Sequence, residues 1–385
     1  EYIIVDNCGT FPASLSACFS YMQKFLDKHK KNPVCDEMMD FFFKVRHFLN
    51  MYDCADDKYV TYAELDKDGD MLLHLYCVDP SENISLRLSQ GKASVMFSAT
   101  FLPVNYFKEM ISGDISDYAV YAHSPFDTSN KRVIVGRDVS SRYTRRNINE
   151  YTKIADYIRK MVTSRHGRYM IFFPSYSYMQ SVYDIYIKKY ENTILELSAA
   201  LNDENINDEN TAKKGQEQQR EYEGKAVYNI IKQPSNMKES DKESFLSLFV
   251  ENEKTDIAGF CVLGGIFSEG IDLRGDALIG VAVVGTGIPM VCRQRNILRD
   301  YFDSHGRNGY QYAYVYPGMN KVLQAAGRVI RTDNDKGIIL LLDDRFLTKE
   351  YELQYPREWD KIYPCDASCV SEYIDDFWKG MTADD

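Results

Sequence analysis

The sequence predicts a doubly wound α/β fold, in which helices cover both faces of a mostly parallel β-sheet. This prediction rests on the alternation of strand-like and helical segments and on how apolar the strand-like segments are. From about residue 130 onward, short apolar runs alternate with amphipathic helical segments, and strands that are apolar along their whole length are typical of a parallel sheet buried on both faces. Residues 1–57 instead show only helical periodicity, so we expect a helical segment before the sheet.

The first 80 residues predict helices followed by a β-hairpin. Apolar residues recur at helical spacing over 15–26 and again over 38–51. Short β-type runs then flank the turn 66–70, whose sequence is Asp-Lys-Asp-Gly-Asp. This turn is similar to the start of an EF-hand loop, but the remaining ligands and the terminal Glu are missing. A hairpin turn is therefore the favoured interpretation.

The α/β part is predicted element by element after residue 130. We predict strands at 133–135, 169–173, 226–231, 257–263, 277–284 and 337–342. We predict helices at 148–161, from 177 onward, and at 242–250, 293–301 and 321–331. The stretch 202–224 is rich in Asn, Glu, Gln and Lys and poor in apolar residues, which indicates an inserted loop or the frayed end of a helix.

Length and composition exclude several classes of protein. A chain of 385 residues and 44.5 kDa suggests two or three domains, and 44% hydrophobic with 27% charged residues is unlike a disordered, collagenous or membrane chain. The longest nearly apolar run, 278–291, is shorter than the roughly 20 residues that span a membrane. The chain has no secretory signal and begins with Glu1, so we expect part of a longer cytoplasmic protein.

The cysteines predict neither a disulfide framework nor a zinc site. There are nine of them, scattered along the chain without a C-x-x-C pair, and structural zinc sites need closely spaced ligands. Reduced thiols are therefore expected, and no metal-ligating residues are predicted.

The charge distribution is uneven. The net charge is −11, yet residues 131–168 contain eleven Lys/Arg and three Asp/Glu, a local charge of +8. Such a basic stretch can bind the phosphates of a nucleic acid, and it can also be a solvated surface. We take Arg142, Arg145 and Arg146 as candidate nucleic-acid-binding residues.

Two predicted strands end in hydroxyl-bearing turns. Ser98 and Thr100 follow a predicted strand at 94–97, and Ser175 and Tyr176 follow the strand at 169–173. Because ligands of doubly wound sheets lie beyond the carboxyl ends of the strands, these groups are candidates for contact with a phosphate. Taken alone, each turn is more often an ordinary helix cap.

A glycine-rich segment follows the predicted strand at 257–263. Residues 265–275 contain three glycines that allow a ligand to approach the backbone, and Glu269 and Asp272 stand three residues apart around Gly270. Paired carboxylates can order a metal-bound water, or hold an arginine and a ribose hydroxyl. The alternative is a glycine-rich turn with surface acids.

The predicted helix at 321–331 has one polar face. At about 100° per residue, four residues fall within one arc, and these are Gln324, Gly327, Arg328 and Arg331. An anion that bridges both arginines would offset their repulsion, since guanidinium groups match phosphate oxygens. The alternative is pairing with acids of this chain, such as Asp333, Asp335 or Asp343.

The chain lacks two phosphate-binding motifs. No G-x-x-x-x-G-K-[ST] occurs, and Met290 stands where a dinucleotide fingerprint beginning at Gly285 needs its third glycine. The sequence therefore predicts half of a nucleotide site.

In combination, these segments resemble the DinG/XPD group of superfamily 2 DNA helicases. The resemblance covers about 90–350 and includes SAT with Leu102-Pro103, FFPSY at 172–176, GIFSEGIDLRG at 265–275, Gln324 to Arg331, and DKG and DDR at 335–337 and 343–345. In that family, two RecA-like motor domains clasp ATP with Mg²⁺, and the enzyme moves 5′ to 3′ on single-stranded DNA.

The resemblance implies a role for each candidate. Gln324, Arg328 and Arg331 would reach the ATP phosphates from the second motor domain, the two arginines as arginine fingers. Glu269, Gly270, Asp272 and Gly327 would line the ATP cleft. Ser98 and Thr100 would couple the ATP state to DNA, and Ser175 and Tyr176 would touch the DNA backbone.

The resemblance also implies where each segment belongs in a longer protein. Residues 1–57 would end the helical arch inserted in the first motor domain, 58–128 would hold the last strands of that domain, and 129–385 would form the second. The Walker A loop, the Walker B magnesium box and a four-cysteine iron–sulfur insert would lie upstream of Glu1. We therefore expect the isolated chain to lack the cluster and to be inactive. The alternative is a non-catalytic nucleic-acid- or partner-binding module with a motor-like fold.

Overall fold

The structure is a computed structural model that describes residues 2–29, 34–196, 228–250, 256–267, 273 and 275–381. The predicted loop at 202–224 lies outside the described residues. The chain forms two compact units. Unit 1 comprises Glu1–Phe97, Val104–Ala119 and Val291–Ala313, and unit 2 comprises Ser98–Pro103, Val120–Met290 and Tyr314–Asp385.

Helices and strands are both distributed along the whole of the described chain. The helices are α1 (Phe11–Lys28), α2 (Val34–Asp53), α3 (Ser81–Leu88), α4 (Val104–Ile111), α5 (Ile148–Val162), α6 (Tyr176–Tyr190), α7 (Glu239–Val250), α8 (Arg293–Ser304), α9 (Tyr316–Ala326), α10 (Lys349–Glu352) and α11 (Val370–Met381). The strands are β1 (Tyr2–Ile4), β2 (Tyr59–Leu65), β3 (Met71–Cys77), β4 (Lys131–Gly136), β5 (Arg168–Phe173), β6 (Ile194–Glu196), β7 (Tyr228–Lys232), β8 (Ile257–Val262), β9 (Gly280–Val284), β10 (Gly337–Leu342) and β11 (Ile362–Cys365).

Unit 1 contains the predicted helices and hairpin. Strands β1, β2 and β3 form an antiparallel sheet, and the turn between β2 and β3 is held by the Asp66 carboxylate. Its Oδ1 accepts hydrogen bonds from the amides of Asp68 and Asp70, each at 2.9 Å. A short polar side chain that binds its own turn is a common way to fix a hairpin, and the hairpin prediction is confirmed.

Unit 2 is the predicted doubly wound domain. Eight described strands pair in parallel in the order β11-β4-β10-β9-β5-β8-β7-β6. Ile158 and Tyr186 belong to one buried cluster, and Phe249 and Val322 to another. Because α5 and α6 supply the first cluster and α7 and α9 the second, helices cover both faces, as the apolar strands predicted.

Two predicted elements differ from the structure. Residues 94–97 form no strand, and Val95 and Phe97 are 85% and 89% exposed. A strand needs a neighbouring backbone to bond, and none of the described strands pairs with this segment. The predicted helix 321–331 ends instead at Ala326, with Gly327 as its C-cap, and glycine is a poor residue for continuing a helix.

None of the described helices is long and apolar enough to cross a membrane.

Candidate functional site

The buried side chain of Arg328 contradicts the predicted exposed helical face. It follows the end of α9, and the residue is only 4% exposed. One of its Nη groups donates a 2.8 Å hydrogen bond to the carbonyl of Phe267. Burial, with a further contribution from Arg331, lowers the pKa of Arg328 to about 10, so the group is still charged at neutral pH. Gln324, Gly327 and Arg331 are exposed. Arg328 differs from them because the helix ends at Ala326, so the arc drawn for a continuous helix does not apply to it.

Asp335 fixes the turn that carries Arg331. Its Oδ2 accepts hydrogen bonds from the amides of Arg331 (2.6 Å) and Thr332 (2.8 Å). Its Oδ1 accepts from the Thr332 hydroxyl (2.5 Å) and from the amide of Gly275 (3.0 Å). Burial acts to raise the pKa of Asp335, but these hydrogen bonds outweigh it and hold the pKa below its ordinary value.

This turn lies at the amino edge of the sheet, whereas ligands of doubly wound sheets are expected at the carboxyl edge. Gly337 begins β10, and a Cβ placed on it would lie 2.4 Å from a Val329 side-chain atom and 2.6 Å from the carbonyl of Ile279, which immediately precedes β9. The reason is geometric. A helix that connects parallel strands runs antiparallel to them, so the end of α9 returns to the edge where the strands begin.

The predicted acidic segment is tied to the arginine turn from both sides. Glu269, Gly270 and Asp272 lie outside the described residues. On one side of them, the Phe267 carbonyl accepts a hydrogen bond from Arg328, and on the other the Gly275 amide donates to Asp335. The two segments that the sequence singled out separately therefore meet.

At the carboxyl edge, Gln233 joins the ends of three strands. It is 2% exposed and follows β7, and its Oε1 accepts from the amide of Val262 at the end of β8 (2.8 Å). Its Nε2 donates to the hydroxyl of Tyr176 just beyond β5 (2.5 Å), and burial raises the pKa of that phenol. Ser175 caps α6 by accepting from the amide of Tyr178. Sequence reasoning missed Gln233, since a lone Gln after a strand has no signal.

Two of the three candidate arginines, Arg142 and Arg145, contact the carboxylate of Asp344. Arg142 and Arg145 approach its Oδ2 at 3.2 and 3.4 Å, and the Ser140 hydroxyl donates to Oδ1 at 3.0 Å. Arg145 also pairs with Glu150 at 3.1 Å. The guanidinium groups thus have a carboxylate of this chain where a phosphate would bind.

Other cations of the basic stretch also have partners within unit 2. Arg146 stacks over the ring of Tyr178 at 4.9 Å and donates to the Ser141 carbonyl at 3.2 Å. Arg137 pairs with Asp366 at 2.6 Å. The excess of +8 counted along the sequence is therefore partly neutralised by acids from residues 343–376.

Asp343, the residue before Asp344, accepts hydrogen bonds from Ser141 and Arg345. It is fully buried; Ser141 donates to it through its amide (2.8 Å) and hydroxyl (2.7 Å), and Arg345 forms a two-pronged pair at 2.8 Å. Burial acts to raise the pKa of Asp343, but the Arg345 and Ser141 interactions hold it below its ordinary value. Gly285 approaches so closely that an added Cβ would lie 2.5 Å from the Ser141 hydroxyl oxygen.

A family model described as the helicase C-terminal domain matches residues 158–362, more than half of the chain. The chain belongs to this helicase family. It is the carboxyl-terminal portion of a DinG/XPD-like superfamily 2 helicase, and its sheet is RecA-like. The family membership confirms the resemblance drawn from the motifs.

Two curated proteins and one solved structure are similar to this chain. The chain is 25% identical over 302 residues to the 3′-5′ exonuclease DinG of Staphylococcus saprophyticus, covering 76% of this chain and 28% of that protein. It is 26% identical over 270 residues to the ATP-dependent DNA helicase XPD of Sulfolobus acidocaldarius, covering 67% and 40%. A solved XPD helicase matches the fold with a TM-score of 0.52 at 18% identity, covering 95% of this chain and 58% of that one. The chain spans less than half the length of the curated relatives that it matches.

The remaining predicted residues, Ser98 and Thr100, lie close together. The Ser98 and Thr100 hydroxyl oxygens lie 3.3 Å apart, and the Thr100 amide donates to the Ser98 hydroxyl at 3.1 Å. Across the described part of the helicase chain, no group of three His, Cys, Asp or Glu side chains could hold a metal ion.

Proposed function

We propose that this chain belongs to an ATP-dependent helicase, in which residues 129–385 form the second of two RecA-like motor domains. The observation that carries the proposal is the turn at Arg331. Its side chain is exposed, while its backbone is held by a buried carboxylate that also binds Gly275 at the end of the acidic segment. An exposed guanidinium on a fixed backbone is what a transferring phosphoryl group needs.

The arginines and their neighbours would then divide the work at ATP. Arg331 would contact the γ-phosphate, and Gln324 and Gly327 would form the adjoining surface. Arg328, whose guanidinium is buried, would hold the Phe267 end of the acidic segment instead of touching ATP. That Glu269, Gly270 and Asp272 line the cleft stays a prediction.

Magnesium would come with ATP. Bound Mg²⁺ neutralises phosphate charge in such enzymes, and the described residues offer no cluster to hold it. We propose that a first motor domain supplies those ligands, and that residues 1–57 and 58–128 derive from the arch and the end of that domain. Because the 385 residues contain no phosphate-binding G-x-x-x-x-G-K-[ST] loop, we propose that the isolated chain is inactive. An iron–sulfur cluster in the longer protein and a cytoplasmic location stay predictions.

We propose that the nucleic acid is single-stranded DNA and that movement is 5′ to 3′. Arg142, Arg145 and Arg146 would bind phosphates. For Arg142 and Arg145, a phosphate oxygen would replace the carboxylate of Asp344, so both guanidiniums would stay paired. The same DNA strand would also pass Ser175 and Tyr176, and Ser98 and Thr100. Because the Tyr176 hydroxyl is bound to Gln233, its contribution would come from the ring.

The ATP site is tested in the full-length protein. Arg331→Ala should lower the turnover of DNA-stimulated ATP hydrolysis by at least 100-fold while changing KM for ATP little, because the interaction forms in the transition state. Arg331→Lys should not restore it, since an ammonium cannot reproduce the planar donor. Arg357→Ala, which removes an exposed arginine stacked on Tyr121, is the matched control. Normal turnover of well-folded Arg331→Ala would refute the proposal.

The DNA site is tested in the 385-residue chain. Its affinity for a labelled single strand should fall with salt at a log–log slope of about −0.7 per phosphate neutralised. Reversal of Arg142, Arg145 and Arg146 to Glu should weaken binding and flatten that slope. Unchanged affinity at low salt would place the DNA elsewhere, and the three arginines would then serve only their contacts within this chain.

A further inference from the structure

Asp335 is a buried acid outside the groups proposed to touch ATP or DNA. The residue is 3% exposed, and its two carboxylate oxygens accept four hydrogen bonds from three residues of unit 2. These residues are Arg331, Thr332 and Gly275. A buried carboxylate bound this completely is a fixed anchor rather than a solvated surface charge.

The geometry of these bonds fixes the direction of one side chain. The amides of Arg331 and Thr332 stand on the two sides of the Arg331 Cα, and both donate to the same oxygen of Asp335, at 2.6 and 2.8 Å. Pinning both flanking peptide planes to one atom restricts φ and ψ of Arg331, which are the only soft backbone torsions between them. The Cα–Cβ bond of Arg331 therefore keeps one direction.

The second oxygen extends this control to the neighbouring segment. Oδ1 accepts from the Gly275 amide and the Thr332 hydroxyl, so one carboxylate sets the position of Gly275 relative to Arg331. All four partners are donors, and only an ionised carboxylate accepts all of them. The lowered pKa of Asp335 agrees with this state.

We infer that Asp335 is a positioning residue for phosphoryl transfer, which orients the Arg331 side chain toward ATP and fixes Gly275 beside it. The inference rests on the proposed function, because it requires Arg331 to act on ATP. Asp335 itself touches no substrate.

The test measures DNA-stimulated ATP hydrolysis by the full-length protein. Asp335→Asn keeps the shape but places an NH₂ group against two donors, so the turn should rearrange. Misplacement of a catalytic group by about 1 Å can cost on the order of 100-fold, so we expect kcat to fall about 10- to 100-fold with KM for ATP within about threefold. Asp333→Asn is the matched control. It removes the same charge from an exposed residue two positions away, whose backbone carbonyl accepts a hydrogen bond from Asn130, and it should change kcat less than twofold.

Two further measurements distinguish a positioning role of Asp335 from a merely structural one. In the Arg331→Ala background, Asp335→Asn should lower kcat less than twofold further, since the group that it positions is gone. Thr332→Val should reproduce part of the loss, and Thr332→Ser, which keeps the hydroxyl, should restore it. These milder variants keep the test decisive if Asp335→Asn does not fold.

The results distinguish this inference from the proposed function. If Asp335→Asn and Thr332→Val turn over ATP normally per folded molecule while Arg331→Ala is slow, the positioning role is overturned and the function stands. If Asp335→Asn is as damaging with Arg331 absent as with it present, Asp335 acts through the fold and the inference is again overturned. If Arg331→Ala is itself normal, the proposed function fails first.

Discussion

Replacing Arg328 with Ala should destabilise unit 2, whereas the same replacement at Arg331 should not. Arg328 is buried and donates to the Phe267 carbonyl, so its removal leaves that carbonyl without this donor and opens a space among core side chains. Arg331 is exposed. Two arginines three residues apart are thus expected to respond in opposite ways to stability and activity measurements.

The size of the effect follows from the contacts of Arg328. A hydrogen bond with a charged partner contributes about 1.5–3 kcal/mol, and loss of the buried aliphatic stem adds to this. Relief of the cost of burying the guanidinium, which also lowers its pKa, offsets part of the loss. The net cost is roughly 2–3 kcal/mol. For a domain of about 250 residues, this corresponds to a fall in Tm of about 4–10 °C.

Thermal unfolding of the 385-residue chain, followed by circular dichroism, provides the assay. Hydrogen exchange should show faster exchange around 261–267 in Arg328→Ala, because the tie to the Phe267 carbonyl is lost. Arg331→Ala should stay within about 0.5 kcal/mol of the parent chain, as is usual for exposed positions. An Arg328→Ala protein that melts within 1 °C of the parent, or an equal loss in Arg331→Ala, would refute the assignment of the two roles.

Three other outcomes are expected. Asp344→Asn should tighten the binding of single-stranded DNA about two- to fivefold at low salt, because it removes a competing ion pair of about 0.5–1 kcal/mol. Fluorescence anisotropy measures this affinity, and weaker binding by the variant would contradict the prediction. Gly287→Ala should lower the free energy of unfolding in urea by roughly 2–4 kcal/mol, since φ is +67° and the new Cβ would lie 2.4 Å from the Gly318 carbonyl oxygen. Gly306→Ala is the control with a positive φ but open space around the new Cβ, and it should lower that free energy less. The pKa of Asp343 is lower in the folded protein than in the unfolded chain. The ionised Asp343 therefore stabilises the fold at pH values above its unfolded pKa of about 3.9, and this stabilisation is lost as pH falls through the lower folded pKa. Tm measured from pH 7 to 2 should fall less steeply in Asp343→Asn than in the parent chain.

The sheet could be predicted from the sequence because its longer strands contain short uninterrupted runs of apolar residues. Residues 337–342 are apolar throughout and match β10 as observed. The segment 94–97 has the same local character but forms no strand, because strand formation also requires a partner backbone, which a sequence pattern does not report. Strand β11 and helix α11 were missed since they contain Pro364 and several acids within short apolar patterns.

The candidate site was less predictable for two reasons. The helical arc at Arg328 assumed a continuous helix, but the chain turns after Ala326 and buries the guanidinium. The charge count along 131–168 also could not include Asp344 or Asp366, which are distant in sequence and adjacent in space to Arg142 and Arg137. Pairings of this kind depend on strand order, which residue spacing leaves undetermined.

The position of β10 between β4 and β9 constrains how the protein is made. During synthesis β4 leaves the ribosome before the other described strands of this sheet. Its partner β10, in which Gly337 pairs with Lys131 of β4, is made only after the last segment of unit 1, Val291–Ala313. Until then β4 has no strand to join it to the rest of the sheet, and its apolar edge needs protection from other chains. A nascent chain that stalls before residue 337 is therefore expected to depend on chaperones, even though most of its sheet has been synthesised.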